Sequence, residues 1–435
     1  MKPLKILFSA YACEPGKGSE PGIGWRWPLE AARLGHDVWV ITRRNNAESI
    51  ERALATVEPG LKLRFLYFDL PPSLRWWKRG GRGVHLYYAL WQRGSYRQAA
   101  RLHQAQAFDA VHYITFGVSR HANPMGGLGV PFILGPLGGG ESVPSPLRRH
   151  FGLRGKIVDA ARDLANRLAL VNPAVRAMYA RADLILCRTP QTRDWLPKEY
   201  QAKAHCMLEI GLDVRAKYAD PVSSPESSAS AIRFLYVGRF LYLKGMGLGL
   251  PAFAQLCARG VNATLTLIGQ GPERERWEAL ARSLGVADRL HWVPWMRQEE
   301  LMKAYGTYDA MLFPSLRDSG ANVVLEALAA GLPVVCVGLG GPAESVRPSC
   351  GRVVGVEGRS EAEVIGALAD AMAELARDPE LLGQLRKGAL ERAVDYDWRR
   401  VVGRVWGADG LGCRAVAAHR APSEIGLAAR TEGAG

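Results

Sequence analysis

Short, mainly apolar segments return along this chain at intervals that leave room for one helix between them. Lys5–Ala10, Asp37–Thr42, Leu63–Asp69, Ala110–Thr115, Pro131–Gly135 and Asp183–Cys187 form a first series. Phe234–Gly238, Thr264–Gly269, Leu290–Val293, Asp309–Phe313 and Val334–Val337 form a second. Runs without polar alternation suit strands buried on both faces, and strands spaced by helices suit a parallel, doubly wound sheet. Between the series, Ala219–Ala231 is small, polar and proline-bearing, which reads as a linker. The expected organisation is therefore α/β, with a Rossmann-like domain over 1–215, a linker over 216–231 and a second Rossmann-like domain over 232–407. From 408 to 435 glycine, alanine and arginine dominate without periodicity, which predicts a poorly ordered tail. In such sheets ligands bind outside the carboxyl ends of the strands, so the expected site is the cleft where the two domains face each other.

Composition narrows the partners. A length of 435 residues exceeds one typical core. No run of 18 apolar residues occurs, and the short apolar run after the basic start Met1-Lys2 reads as a first strand, not a signal peptide. Seven cysteines are scattered without metal-ligand spacing, which suits a reducing, cytoplasmic setting. Lys and Arg exceed Asp and Glu by 56 − 42 = 14, which favours anionic partners.

The stretch from Phe313 to Pro333 carries the densest chemistry. An apolar strand ends at Pro314, a polar turn runs from Ser315 to Gly320, and a helix follows from about Asn322, with Gly331 and Pro333 ending it. The unpaired N–H groups of such a helix start suit a phosphate. Asp318 in the turn and Glu326 one turn into the helix suit hydroxyl groups instead, because carboxylates repel phosphate and accept hydrogen bonds. A phosphate beside hydroxyls describes a nucleotide and a sugar; an ordinary βα unit with two solvated carboxylates has the same pattern. Gly238-Arg239 and Lys244-Gly245 follow the first strand of the second series, where a basic pair could neutralise a diphosphate with help from the Gly320 and Ala321 amides. Gly269 begins a strand-to-helix turn that lacks the dinucleotide fingerprint. Gly22 and Gly24 could let backbone approach a ligand. His112, at the carboxyl side of its strand, could orient or deprotonate a hydroxyl, and it equally suits a core histidine. Glu141, after Gly138-Gly139-Gly140, could hydrogen-bond an acceptor. Ser73–Arg82 mixes Trp76 and Trp77 with Arg75, Lys78, Arg79 and Arg82, which fits an acidic membrane surface, single-stranded nucleic acid or a plain surface loop. No zinc-type cluster or Walker loop is present, and Asp395-Tyr-Asp397 is a poor metal site.

Together, Gly-Arg…Lys-Gly at 238–245, Ile-Gly-x-Gly-Pro at 268–272, and Asp318 followed eight positions later by Glu-Ala-x-Ala-x-Gly-x-Pro-Val-Val resemble the retaining glycosyltransferases of family 4. The likeness covers most of residues 4–400. It implies the GT-B fold, a nucleotide-sugar donor held by the second domain, a glycan or lipid-linked acceptor held by the first, and no metal or other cofactor. The resemblance assigns Arg239 and Lys244 to donor phosphates, Asp318 to the transferred sugar, Glu326 to the ribose, and His112 to the neighbourhood of the reacting sugar. The expected nucleotide-binding positions are Gly22, Gly24, Gly238, Gly269, Gly320, Ala321 and Asn322. Two departures are visible: the first acidic residue, usually Glu, is Asp318, and a usual glycine is Ala321. The run Asp318–Glu326 and the loop Gly135–Glu141 look like members from exopolysaccharide or cell-surface glycan pathways. A UDP carrier is the commonest in the family. A cytoplasmic protein, peripheral on the inner face of a membrane and without a nucleic-acid partner, is expected. The alternatives are a nucleotide-sugar 2-epimerase of the same architecture and a non-catalytic basic module binding nucleic acid or membrane.

Overall fold

The structure, a computed structural model, describes residues 2–74, 77, 83–213, 231–320 and 322–420. Two all-parallel sheets organise them. The first has seven strands: β1 (Lys5–Ser9), β2 (Asp37–Thr42), β3 (Leu63–Tyr67), β4 (Ala110–Tyr113), β5 (Phe132–Leu137), β6 (Leu184–Cys187) and β7 (Ala204–Cys206), in the order β3-β2-β1-β4-β5-β6-β7. The second has six: β8 (Ile232–Val237), β9 (Ala263–Ile268), β10 (Leu290–Val293), β11 (Ala310–Phe313), β12 (Val334–Val337) and β13 (Gly351–Val354), in the order β10-β9-β8-β11-β12-β13. Both sheets reverse direction beside their first strand, between β1 and β4 and between β8 and β11. A doubly wound sheet opens its ligand crevice at such a reversal. These are the two Rossmann-like, parallel-sheet domains expected.

The reason is in the strands. β4, β6, β11 and β12 are buried at every residue. Burying both faces requires helices above and below, and right-handed crossovers supply them. One core cluster covers one face of the first sheet and extends through the whole second domain. A second, rich in Tyr11, Tyr88, Trp91 and Phe132, fills the other face of the first sheet.

Three features differ from expectation. The helix Trp398–Trp406 leaves the second domain and packs on the helix Ser19–Arg33 of the first, so the expected boundary at 407 does not divide the packing. Residues expected to form part of a poorly ordered tail form a helix, Leu411–Arg420, which rests on β6 and pairs His419 with Asp183 and Arg420 with Asp109. Its alternation of Val416 and Gly412 inward with Arg414 outward is too brief to show as periodicity. The two short edge strands β7 and β13 have few apolar residues turned inward and were not marked by their composition. Residues 214–230, which comprise the last two residues of the expected first domain and the linker up to Ala231, lie outside the described residues.

Candidate functional site

The turns after β8 and β11 stand at the reversal of the second sheet and meet directly. Gly245 adopts φ +70°, and a Cβ there would lie 1.8 Å from the Pro314 carbonyl oxygen, so only glycine lets the two turns touch. The Leu316 N–H donates to the Leu243 carbonyl at 2.9 Å. This contact sets the Lys244 ammonium in an ion pair with the Asp318 carboxylate and over the face of Phe313, 5.3 Å from its centroid. From behind, the Gly341 N–H donates to the Asp318 carbonyl at 2.7 Å. Arg239 is exposed on the same wall and has no ion-pair partner among the described residues.

Glu326 is held from the helix Gln298–Tyr305. The Gln298 amide donates to one carboxylate oxygen at 2.8 Å and the Tyr305 hydroxyl to the other at 3.0 Å. The two donors fix the orientation of the carboxylate at the cleft. Gly238, Arg239, Lys244, Asp318, Gly320, Asn322 and Glu326 line one cleft of about 750 Å³, whose opposite wall is Gly18 to Pro21, Ile23, Arg188, Glu209 and Ile210 of the first domain. Beyond Glu326 a recess of about 670 Å³ continues between the domains, lined by Lys17, Gly22, Arg26, Arg33, Asp213 and Trp398 among others.

Several expected site residues are elsewhere or act differently. His112 is fully buried among Phe8, Trp27 and Trp406. Its Nε2 bonds the Gly135 carbonyl at 2.8 Å and its Nδ1 accepts from the Trp406 indole at 3.2 Å, so neither nitrogen is left for a substrate. Burial pushes its pKa down to about 3 against a weaker raising effect of the Gly135 carbonyl. Gly22 and Gly24 lie within the helix Ser19–Arg33, where a Cβ would meet the Lys17 and Ala12 carbonyl oxygens at 2.1 and 1.9 Å. They let the preceding loop fold against the helix; Gly22 lines the recess, and Gly24 is buried away from the cleft. Gly269 packs on the Gly238 carbonyl, where a Cβ would lie at 2.0 Å, and does not line the cleft. The Gly320 N–H turns back to Asp318 Oδ1 at 3.3 Å, an Asx-type turn, instead of facing a diphosphate. Glu141 is buried and accepts from Thr189, Thr192 and the Gly139 N–H at 2.8–3.0 Å, which locks its own loop. Ala321 lies outside the described residues, as do residues 75, 76 and 78–82 of the basic tryptophan segment; Trp77 is half-buried against the first-sheet core. Among the described residues no group of three or more His, Cys, Asp or Glu side chains could hold a metal ion.

The sequence reading missed an ion-paired group on the first-domain wall. Arg188 Nε lies 2.7 Å from Glu209 Oε1, and its terminal nitrogens reach Glu20 and Ser319 at 3.4 Å. Burial raises the Glu209 carboxyl pKa and Arg188 opposes that rise. For Arg188, burial works against the charge, but Glu209, Glu20 and Glu141 outweigh it and raise its pKa. Arg188 directly follows an apolar strand, so the rule that ligands gather at carboxyl ends could have singled it out.

The buried state of His112 has a pH consequence. Unfolding restores the ordinary value near 6.5, so the unfolded chain takes up a proton that the fold refuses. The contribution to stability is fully present above about pH 6.5 and is drained as the pH falls toward about 3. Denaturation midpoints are therefore expected to fall between pH 8 and pH 5, with the His112 ring signal in proton NMR unshifted over that range. A His112 resonance titrating near 6.5 in the folded protein would contradict this.

Residues 224–392 match the family model described as Glycosyl transferases group 1. A D-inositol 3-phosphate glycosyltransferase of Acidothermus cellulolyticus is 32% identical over 298 residues, 65% of this chain and 61% of that protein. A protein of the same description from Geodermatophilus obscurus is 35% identical over 292 residues, 58% of this chain and 63% of its own length. The chain thus spans about three fifths of these curated relatives. Among solved structures, sucrose-phosphate synthase from Thermosynechococcus elongatus superposes with a TM-score of 0.61 at 19% identity, covering 92% of this chain and 96% of that one. Anabaena HepE in complex with UDP superposes with a TM-score of 0.56 at 16% identity, covering 92% and 98%. At these identities the structures establish a shared fold, and that fold is GT-B.

Proposed function

We propose that the protein is a retaining, metal-independent glycosyltransferase that moves a sugar from a nucleotide-sugar to an acceptor held by the first domain. The observation that carries this reading is the convergence of Arg239, Lys244, Asp318 and Glu326 on one cleft at the reversal of the second sheet. As the sugar–phosphate bond breaks, negative charge grows on the departing diphosphate. Arg239 and Lys244 stand where they can stabilise it, and stabilising charge that grows in the transition state is what lowers a barrier. Lys244 then divides its charge between the diphosphate and Asp318, which frees carboxylate acceptor capacity for sugar hydroxyls. Glu326, oriented by Gln298 and Tyr305, is set to accept from ribose hydroxyls. Attack on the face that the diphosphate leaves is part of the family resemblance.

UDP is the proposed carrier, supported by a structural neighbour solved with UDP-glucose. A glycan or lipid-linked acceptor is proposed, in cell-surface or exopolysaccharide assembly on the cytoplasmic side of a membrane. The relatives named for inositol 3-phosphate add a polyol phosphate as an acceptor class. The recess sets Lys17, Arg26 and Arg33 beside Glu58, Asp213 and Glu326, so a polyol phosphate there would draw on cations already paired with Glu14, Asp213 and Glu58.

Calorimetric titration with UDP-, GDP- and ADP-sugars, followed by nucleotide release with and without acceptors of each class, tests this. Tight binding of one donor and acceptor-dependent release are expected. A mass-neutral change in the donor with no acceptor present would replace transfer by epimerisation. No heat with any donor, alongside salt-sensitive binding to nucleic acid, would leave a basic binding module.

A further inference from the structure

The helix Leu153–Val171 carries an apolar stripe on its outer side. Leu153, Ile157, Leu164, Leu168 and Val171 recur at helical spacing and are each between 57% and 76% exposed. The cations Arg154, Lys156 and Arg167 are exposed along the two flanks of that stripe. Of its two acids, Asp159 is buried in ion pairs with Arg317 and Arg148, and Asp163, on the flank of Lys156 and Arg167, is held by Arg148 and Arg162. A helix meant for water alone places charge, not leucine, at its outermost line. No helix among the described residues is long and apolar enough to cross a membrane, so a bilayer contact here lies in the plane of the surface.

We propose that this face docks on an anionic bilayer, with the stripe entering the headgroup boundary and the three cations meeting anionic headgroups. Apolar residues flanked by Lys and Arg, with the one carboxylate on that flank, Asp163, already held by Arg148 and Arg162, match that environment. Charge argues against a second copy of the chain: two such faces brought together would set Arg154, Lys156 and Arg167 against each other, with only Asp163, already held by Arg148 and Arg162, beside them. The helix also contacts the two turns that carry Lys244 and Asp318. Asp159 pairs with Arg317, next to Asp318, and Gly155 leaves room for the ring of Tyr242, beside Lys244. Bilayer contact through this helix would hold the cleft near the surface. The proposal is independent of which reaction the cleft performs.

Sedimentation of the full chain with vesicles of phosphatidylglycerol and phosphatidylcholine, or of phosphatidylcholine alone, tests it. Binding to the anionic vesicles, weakened by salt and at least tenfold weaker to the neutral ones, is expected. Ile157→Ser with Leu164→Ser and Leu168→Ser should reduce anionic binding at least tenfold with the melting temperature unchanged. A second variant, Arg154→Ala with Lys156→Ala and Arg167→Ala, should weaken binding and flatten its salt dependence. Undiminished binding by the two folded variants would overturn the proposal and return attention to the basic tryptophan segment at 73–82. A wild-type dimer that the serine variant splits, with no vesicle binding by either, would overturn it in favour of a second copy.

Discussion

Replacing Arg239 and Lys244 together by alanine is expected to abolish sugar transfer while the fold survives. Removing one preorganised donor to a developing negative charge costs about 100- to 1,000-fold in turnover, so loss of both should exceed about a thousandfold. Arg239 is exposed and has no ion-pair partner among the described residues, so its loss should hardly affect stability. Lys244 leaves behind Asp318, whose side chain is partly open to solvent, and the cost of that broken pair should stay near about 1 kcal/mol. Nucleotide release under saturating donor, read beside a thermal melt, separates the two effects. Full transfer by a well-folded double variant would show that the diphosphate is held elsewhere. Collapse of the melt would instead show that the turns after β8 and β11 depend on the ion pair for their shape.

The largest effect on stability is expected at Trp406. Its side chain is fully buried, its indole N–H donates to His112, and its carbonyl bonds His36 Nε2 at 2.7 Å. Its ring also packs edge-on to Phe8. Trp406→Ala opens a cavity among these rings and leaves the His112 nitrogen without its donor, a loss of about 3–5 kcal/mol. The residue belongs to the returning helix Trp398–Trp406, so the damage should also loosen the coupling of the two domains. A single urea transition is expected to broaden or split into two. Trp406→Phe, which refills most of the space, should recover more than half of the loss. A change below about 1 kcal/mol in the alanine variant would mean that the returning helix is held by its other contacts alone.

What the sequence could and could not reveal follows from how far each contact reaches. The central strands were legible because burial on two faces leaves no polar alternation, and the four cleft residues were legible because each sits in a turn just past such a strand or one helical turn beyond. The edge strands β7 and β13 were not, because a strand covered on fewer sides needs fewer apolar residues. His112 has the neighbours of a strand-end residue in sequence, yet its fate is decided by Trp406, 294 positions away. Gly22 and Gly24 look like the glycines of a ligand loop, and the carbonyls of Ala12 and Lys17 that require them become visible only once the loop has folded back. Arg188 and Glu209 were hidden for a similar reason, since each is unremarkable without the other.

The chain passes between the domains twice, once after residue 213 and once just before the helix Trp398–Trp406, and the two passages are stitched together. The Leu212 N–H donates to the Tyr396 carbonyl at 2.7 Å, and the Trp398 N–H to the Leu212 carbonyl at 3.3 Å. Two straps fastened at one point behave as a pivot. In any rotation about it, displacement grows with distance from the axis, so the rim carrying Arg239 and Lys244 would sweep further than the recess beside Trp398.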